Sequence, residues 1–408
     1  MKYDGHHRRH GRSSSSIRSN DFQYRRRDIS QTGSIPVVND PAEISMDSSI
    51  FNDDSSLNSV NEQNKNKRSP ILKTYSTSNK NINFTHIEFD PITGNVYVGA
   101  SNWIFQLESR SLRVEHAVRT GPIRDSPVCP PSDCTGVDLN FVQITNNINK
   151  ILLVEPYARM LVVCGSVHQG GCTRHRLDDI SQHEDLVPLP VAANDENSST
   201  IAFVGPARYF GVQLTPILYV AATDTRLGPY RDMVPSIAGR SLESSRLFTI
   251  IDRGFADSAR VDISSNIRDY FLVHYVYGFY ANDYVYFAQV QRKSYLRTME
   301  ELAGTDLTES LRLESGSLVL IGVFTNSRQD HTNKPGGRSA VCVFPIAQIE
   351  QSFTENIHLC YNGSVFSRNM DYIAGSVNQC PEPGVGGFFF SYLFFFFFGF
   401  PITYCWYL

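Results

Sequence analysis

Residues Val118–Leu177 read VRTGPIRDSPVCPPSDCTGVDLNFVQITNNINKILLVEPYARMLVVCGSVHQGGCTRHRL, and this stretch decides the fold. Two apolar runs, Ile151-Leu152-Leu153-Val154 and Met160-Leu161-Val162-Val163, flank the polar connection Glu155-Pro156-Tyr157-Ala158-Arg159. Apolar runs of strand length joined by a short polar connection read as a β-hairpin. The second run passes into Cys164-Gly165. The stretch also holds two close cysteine couples, Cys129 with Cys134 and Cys164 with Cys172, out of 8 cysteines in the chain.

The hairpin pattern recurs on both sides. Val96-Tyr97-Val98-Gly99-Ala100, Leu161-Val162-Val163-Cys164-Gly165, Leu218-Tyr219-Val220-Ala221-Ala222 and Val285-Tyr286-Phe287-Ala288-Gln289 are apolar–aromatic strands, most of them passing into small residues. Each follows another strand and a turn. The first belongs to a three-strand meander, with turn chemistry at Asp90-Pro91-Ile92-Thr93-Gly94-Asn95 and a tight corner at Ser101-Asn102. A meander repeating at about 60 residues is the pattern of propeller blades, and small residues suit strands converging on a crowded channel. A large β-sandwich is the alternative. The next such strand, Ser317–Phe324, arrives after about half that spacing. The intervening Arg292–Ser315 is charged and reads as helix or loop, so half a repeat is missing. Strand Ala340–Pro345 and an amphipathic helix, Ile346–Glu355, follow. The expectation is an all-β protein, a β-propeller with about four to five blades represented and left open.

At 408 residues with a net charge of -4, the chain carries no global electrostatic signature for nucleic acid or an anionic membrane. Its 26 Phe and 20 Tyr suit pleated faces. Residues 1–80 are rich in Ser, Asn, Asp and Arg without hydrophobic period, so they read as a disordered basic segment. Arg25-Arg26-Arg27 reads as a solvated tail, and His6, His7 and His10 lack the companions of a metal site. At the other end, 385–408 is a Phe-rich hydrophobic tail. From Phe388 to Leu408 it is uncharged and long enough to cross a bilayer. Its Phe dominance, Pro401 and the lack of flanking basic residues favour translated non-coding sequence, with a membrane anchor as the alternative.

Three glycosylation acceptors, Asn83, Asn197 and Asn362, accompany the closely spaced cysteines and favour an oxidising, secretory compartment. Against this, the first residues, MKYDGHHRRHGRSSSS, hold no apolar leader. No nucleophile elbow, metalloprotease helix, P-loop or dinucleotide fingerprint is present. Asp178-Asp179 and His183-Glu184-Asp185 place carboxylates near a histidine but read as a solvated loop. The chain is therefore expected to be no enzyme and to need no cofactor or metal.

Three groups of residues together resemble the Sema domain of plexins. The first is Val118-Arg119-Thr120-Gly121-Pro122 with Asp125-Ser126-Pro127 and Cys129. The second is Asn147–Val154 followed by Cys164-Gly165-Ser166, Gln169-Gly170 and Cys172. The third is Val234-Pro235-Ser236-Ile237 with Arg240-Ser241-Leu242. The resemblance runs in order from about Phe84 to Cys380, and Gln169-Gly170-Gly171-Cys172 is closer to plexins than to semaphorins. It implies a Sema-type propeller of seven blades in the family, over residues 84–384 here. It also implies an extracellular receptor position, semaphorin as protein ligand in axon guidance and cell migration, possible self-association through the Sema domain, and no nucleic acid. In that compartment Cys129–Cys134, Cys164–Cys172 and Cys360–Cys380 are expected to pair, and Cys342 is expected to lack its partner; cysteine-bound zinc is the alternative. Ligand contact is expected on the long loops Asp178–Ser199 and Thr223–Ser245, with Arg226, Tyr230 and Arg231 of residue types common at interface hot spots. The competing reading is a truncated gene product without independent function.

Overall fold

A computed structural model describes residues 74–77, 82–210, 213–251, 260–282, 284–291, 305–312, 318–327, 335–361, 393–395 and 405–407. The chain divides into two units, Met1–Ser69 and Pro70–Leu408, and every described residue belongs to the second. The expected disordered segment therefore lies almost wholly outside the described residues.

The first sheet is a four-stranded antiparallel meander of β1 (Phe84–Phe89), β2 (Val96–Ala100), β3 (Trp103–Leu107) and β4 (Val114–Arg119). A small hairpin, β5 (Ile123–Asp125) with β6 (Gln143–Thr145), stands outside the meanders. The second sheet contains β7 (Asn149–Glu155), β8 (Met160–Gly165) and β9 (Cys172–Arg176). Isolated bridges His175–His183 and Cys172–Val187 run a further segment antiparallel to β9, in the place of a fourth strand. The third sheet contains β10 (Thr200–Phe210), β11 (Gln213–Ala222), β12 (Ile237–Ser241) and β13 (Arg260–Val261). The fourth is built on β14 (Val273–Ala281) and β15 (Tyr284–Gln291), and the fifth on β16 (Thr305–Arg312), β17 (Leu318–Ser327) and β18 (Pro335–Pro345). Helix α1 (Ile346–Tyr361) runs one and a half turns past its expected end at Glu355.

The first strands of the sheets, β1, β7, β10, β14 and β16, touch in series. This is the arrangement of propeller blades side by side, inner strands adjoining. Period-2 alternation makes each blade bury both faces. On β7 and β8, Leu152, Leu161 and Val163 join Tyr97 and Ile104 of the first sheet. The alternate residues Ile151, Leu153, Val162 and Cys164 join Leu218 and Val220 of the third. On β11 the other face, Ile217, Tyr219 and Ala221, packs on Tyr275, Val285 and Phe287. Tyr286 turns the opposite way and meets Leu320 with Ile346, Ile349 and Phe353 of α1. A strand sandwiched in this way needs a continuous apolar run, which is why Ile151–Val154 reads as it does.

Several expectations change. Thr305–Arg312 is a strand paired with β17 and not helix or loop, because the apolar β17 offers it a ladder that its polar sequence does not advertise. Among the described residues the fourth sheet is formed by β14, β15 and a strand from the tail. β19 (Leu393–Phe395), from the Phe-rich tail, lies parallel on β15. β20 (Cys405–Tyr407) lies antiparallel on β18, with Cys405 opposite Cys342 in register. Cys342, expected to lack a partner, is disulfide-bonded. The loop Thr223–Ser245 is interrupted by β12. Among the described residues no helix is long and apolar enough to cross a membrane.

Candidate functional site

Antiparallel order sorts the connections into two sets. First-to-second and third-to-fourth turns lie at one end of the strands. Second-to-third corners and the crossings to the next sheet lie at the other. The crossing end collects the corner at Asn102, the excursion Ile123–Thr145, the corner Ser166–Gly171, the stretch Asn194–Ser199, the loop Thr223–Ser236 and the turn Ser264–Tyr270.

These loops are fixed by buried polar contacts. Both expected disulfides in the opening stretch form: Cys129–Cys134 closes the excursion, and Cys164–Cys172 joins β8 and β9 at directly opposed positions. Cys360 lies on α1, but its expected pairing with Cys380 falls outside the described residues. Gln169, buried in the adjoining corner, connects four segments. Its Nε2 donates to the carbonyl of Cys129 at 2.8 Å, and also lies 3.2 Å from that of Pro127 and 3.3 Å from that of Ser126. Its Oε1 accepts from Asn194 Nδ2 at 2.7 Å, and Asn194 Oδ1 accepts from Thr225 Oγ1 at 2.5 Å. Buried Asp125 accepts the His168 amide at 2.8 Å. Gly228, at φ +71°, passes so close to Pro127 that an added Cβ would stand 1.9 Å from its carbonyl oxygen. The excursion and the loop Thr223–Ser236 are thus one packed body.

Lys150 is buried, and its Nζ donates to the carbonyls of Glu196 at 3.0 Å and Ser198 at 2.9 Å. Burial lowers its pKa, while Asp195 and Glu196 oppose that shift. This clamp holds the Asn194–Ser199 stretch with Asn197 exposed. Asn83, beside the same end, is also exposed; Asn362 lies outside the described residues.

The three expected contact residues share the loop but differ in setting. Arg226 is exposed. Tyr230 is half-buried beside Gln169 and Asn194. Arg231 donates to Asp269 at 2.8 Å, and Arg268 pairs with Asp224 and Asp232. The arginine head of position 231 therefore braces the loop.

The carboxylates near His183 lie at the other end and are committed elsewhere. Arg176 holds Asp178 down to about 2, Arg174 engages Glu184 through two bonds, and Asp179 accepts from Ser181 and Gln182. His175 is lowered to about 4 by burial, with its Nδ1 on the Ile180 carbonyl. A cleft of about 690 Å³ there is lined by Arg159, Arg176 and Glu184. Each of these is already ion-paired.

Gln169 and Asn194 escaped sequence reasoning as site residues. The signal available for Gln169 was a polar residue in the Gln-Gly-Gly corner that ends at a cysteine; the structure places it at φ +58°.

Adjoining antiparallel meanders with their loops gathered at one end define a β-propeller segment, and comparison assigns its type. A Sema domain profile matches residues 303–382. Mouse Plexin-A2 is 24% identical over 375 residues, covering 78% of this chain and 19% of that protein. Human Plexin-B3 is 30% identical over 316 residues, covering 72% and 16%. Human Plexin-B1 is 40% identical over 169 residues, covering 38% and 7%. The solved Plexin A4 full extracellular region superposes with a TM-score of 0.56 at 23% identity, over 68% of this chain and 36% of that one. Within the Sema class, the chain is homologous to the plexins, of whose length it spans under a fifth in Plexin-A2.

Proposed function

We propose that this chain is the ligand-binding Sema segment of a plexin-like cell-surface receptor and that it binds a semaphorin through the loops at the crossing end. The observation that carries the reading is the packed body formed by the excursion and Thr223–Ser236, in a chain homologous to plexins. A surface braced by Gln169, a disulfide and the Arg231–Asp269 and Arg268–Asp224 pairs meets a partner without first losing loop entropy. Arg226 contacts the ligand directly and Tyr230 supports it. Asn83 and Asn197 carry glycans, which confine the footprint to the surface between them. Self-association through the Sema domain is a further property of this reading.

The test is binding of soluble semaphorin ectodomains to the chain secreted behind an added leader. Arg226→Glu is expected to weaken binding about tenfold while Arg110→Glu, exposed in the β3–β4 turn at the opposite end, leaves it unchanged. Equal affinities for parent and Arg226→Glu would remove that residue from the site. One observation favours a second reading, a gene product without independent function: among the described residues the fourth sheet holds two strands of its own and takes its third, β19, from the Phe-rich tail. Secreted material that aggregates and unfolds without cooperativity would support it.

A further inference from the structure

The exposed apolar residues of the crossing end concentrate on the excursion Ile123–Thr145. Leu139 is 70% exposed, Phe141 63% and Ile144 68%. Leu139 and Phe141 bound a short 3-10 turn none of whose residues is buried. Large apolar side chains held this far into solvent on a rigid support mark a contact surface. The support is rigid: the Cys129–Cys134 bond, the Gln169 amide, the Asp125–His168 bond and the Gly228–Pro127 contact all fasten it.

Charge defines what could cover it. Arg124, exposed opposite Ile144, is followed by no Lys, Arg or His up to Lys150, while Asp133 and Asp138 are exposed. Both carboxylates accept backbone amides, from Thr135 and Asn140, which fixes their positions beside the apolar residues. The neighbouring stretch adds exposed Glu196 to the same end, while Asp232 and Asp269 there are paired with Arg268 and Arg231.

We propose that the excursion is a second wall of the interaction surface. It takes a protein patch that presents apolar side chains within a Lys/Arg rim, seated on Leu139, Phe141 and Ile144 and drawn in by Asp133 and Asp138. The inference rests on the semaphorin reading above, and it extends the footprint from the third sheet to the junction of the first two.

The test is a glycan wedge. Val142→Thr turns Asn140-Phe141-Val142 into an acceptor triplet on an exposed asparagine. The full chain, secreted behind an added leader, is immobilised and titrated with semaphorin ectodomains, and wedge occupancy is read from the gel shift. Val142→Thr and, independently, Phe141→Asp are each expected to weaken binding at least about tenfold. Asp133→Lys with Asp138→Lys is expected to slow association several-fold at low salt, with the effect shrinking as ionic strength rises. Ile92→Asp, exposed at the opposite end, is expected to leave affinity within about twofold. Parent-like affinity in both Val142→Thr and Phe141→Asp overturns the proposal while the semaphorin reading stands. A parent chain that folds and binds no semaphorin overturns both.

Discussion

Gln169 offers the sharpest perturbation of the loop body. Gln169→Ala removes the amide that reaches the Cys129 carbonyl at 2.8 Å and the acceptor that receives Asn194 at 2.7 Å. Alanine has the same Cβ constraint as glutamine at the positive φ of this residue, so backbone strain cancels in the comparison. Leaving a buried carbonyl without its donor costs about 1–3 kcal/mol, and the lost stem packing adds about 1 kcal/mol. For a folded unit of this size each kcal/mol moves Tm by about 2–4 °C, so the midpoint should fall by roughly 4–16 °C. Gln169→Glu discriminates further. Its carboxylate would face three carbonyl oxygens in a buried corner, so the folded state raises its pKa above the unfolded value near 4.3. Below that value the neutral acid still donates. As pH rises the unfolded chain ionises first and stability is lost. Gln169→Glu should therefore be the worse variant at pH 7, and the gap to Gln169→Ala should close toward pH 4. Thermal unfolding of the secreted chain across that range is the assay. A Gln169→Ala midpoint within about 1 °C of the parent would refute the bracing role.

Four further outcomes follow from the packing. An alanine Cβ at Gly165 would stand 1.9 Å from Asn147 Oδ1, so Gly165→Ala should destabilise by more than about 2 kcal/mol, and Asn147→Ala added to it should restore part of the loss in denaturant titration. Asp90 is buried against Arg159 with Nη2–Oδ2 at 2.7 Å, and that pair holds its carboxyl below the usual range. Its stabilisation is therefore present above about pH 4 and lost as pH falls further, so Asp90→Asn should lower stability at pH 7 and flatten the acid limb of the unfolding profile. His175 has the opposite charge logic: burial lowers it from 6.5 to about 4, the unfolded chain protonates first, and stability should decline as pH falls between those values, a decline that His175→Gln should reduce. Cys129→Ser with Cys134→Ser should cost about 2–3 kcal/mol and increase hydrogen exchange across the excursion while sparing β7–β8.

The blade order was legible because each central strand is buried on both faces. Leu152 turns to one neighbour while Ile151 and Leu153 turn to the other, so no polar alternation dilutes the run. The cysteine couples were legible because each closes a local loop. Thr305–Arg312 was not, since its side chains read polar and only β17 makes it a strand. The site was legible only as loops. Gln169 and Cys129 are 40 residues apart, and Arg231 and Asp269 are 38, so neither partnership leaves a local pattern. Arg231 carried the residue type of a contact, and its salt bridge to Asp269 also ties the loop to the Ser264–Tyr270 turn. The excursion carried no strand period, and its exposed Leu139 and Phe141 follow from loop packing that no periodicity encodes.

Hydrogen exchange of the secreted chain, with and without a saturating semaphorin ectodomain, tests the central claim most directly. Protection of 123–145 and 223–236, with the opposite turns at 90–95 and 155–159 unchanged, is the predicted footprint. Saturable binding that protects those opposite turns instead, or no binding by a chain with both mapped disulfides intact, would contradict it.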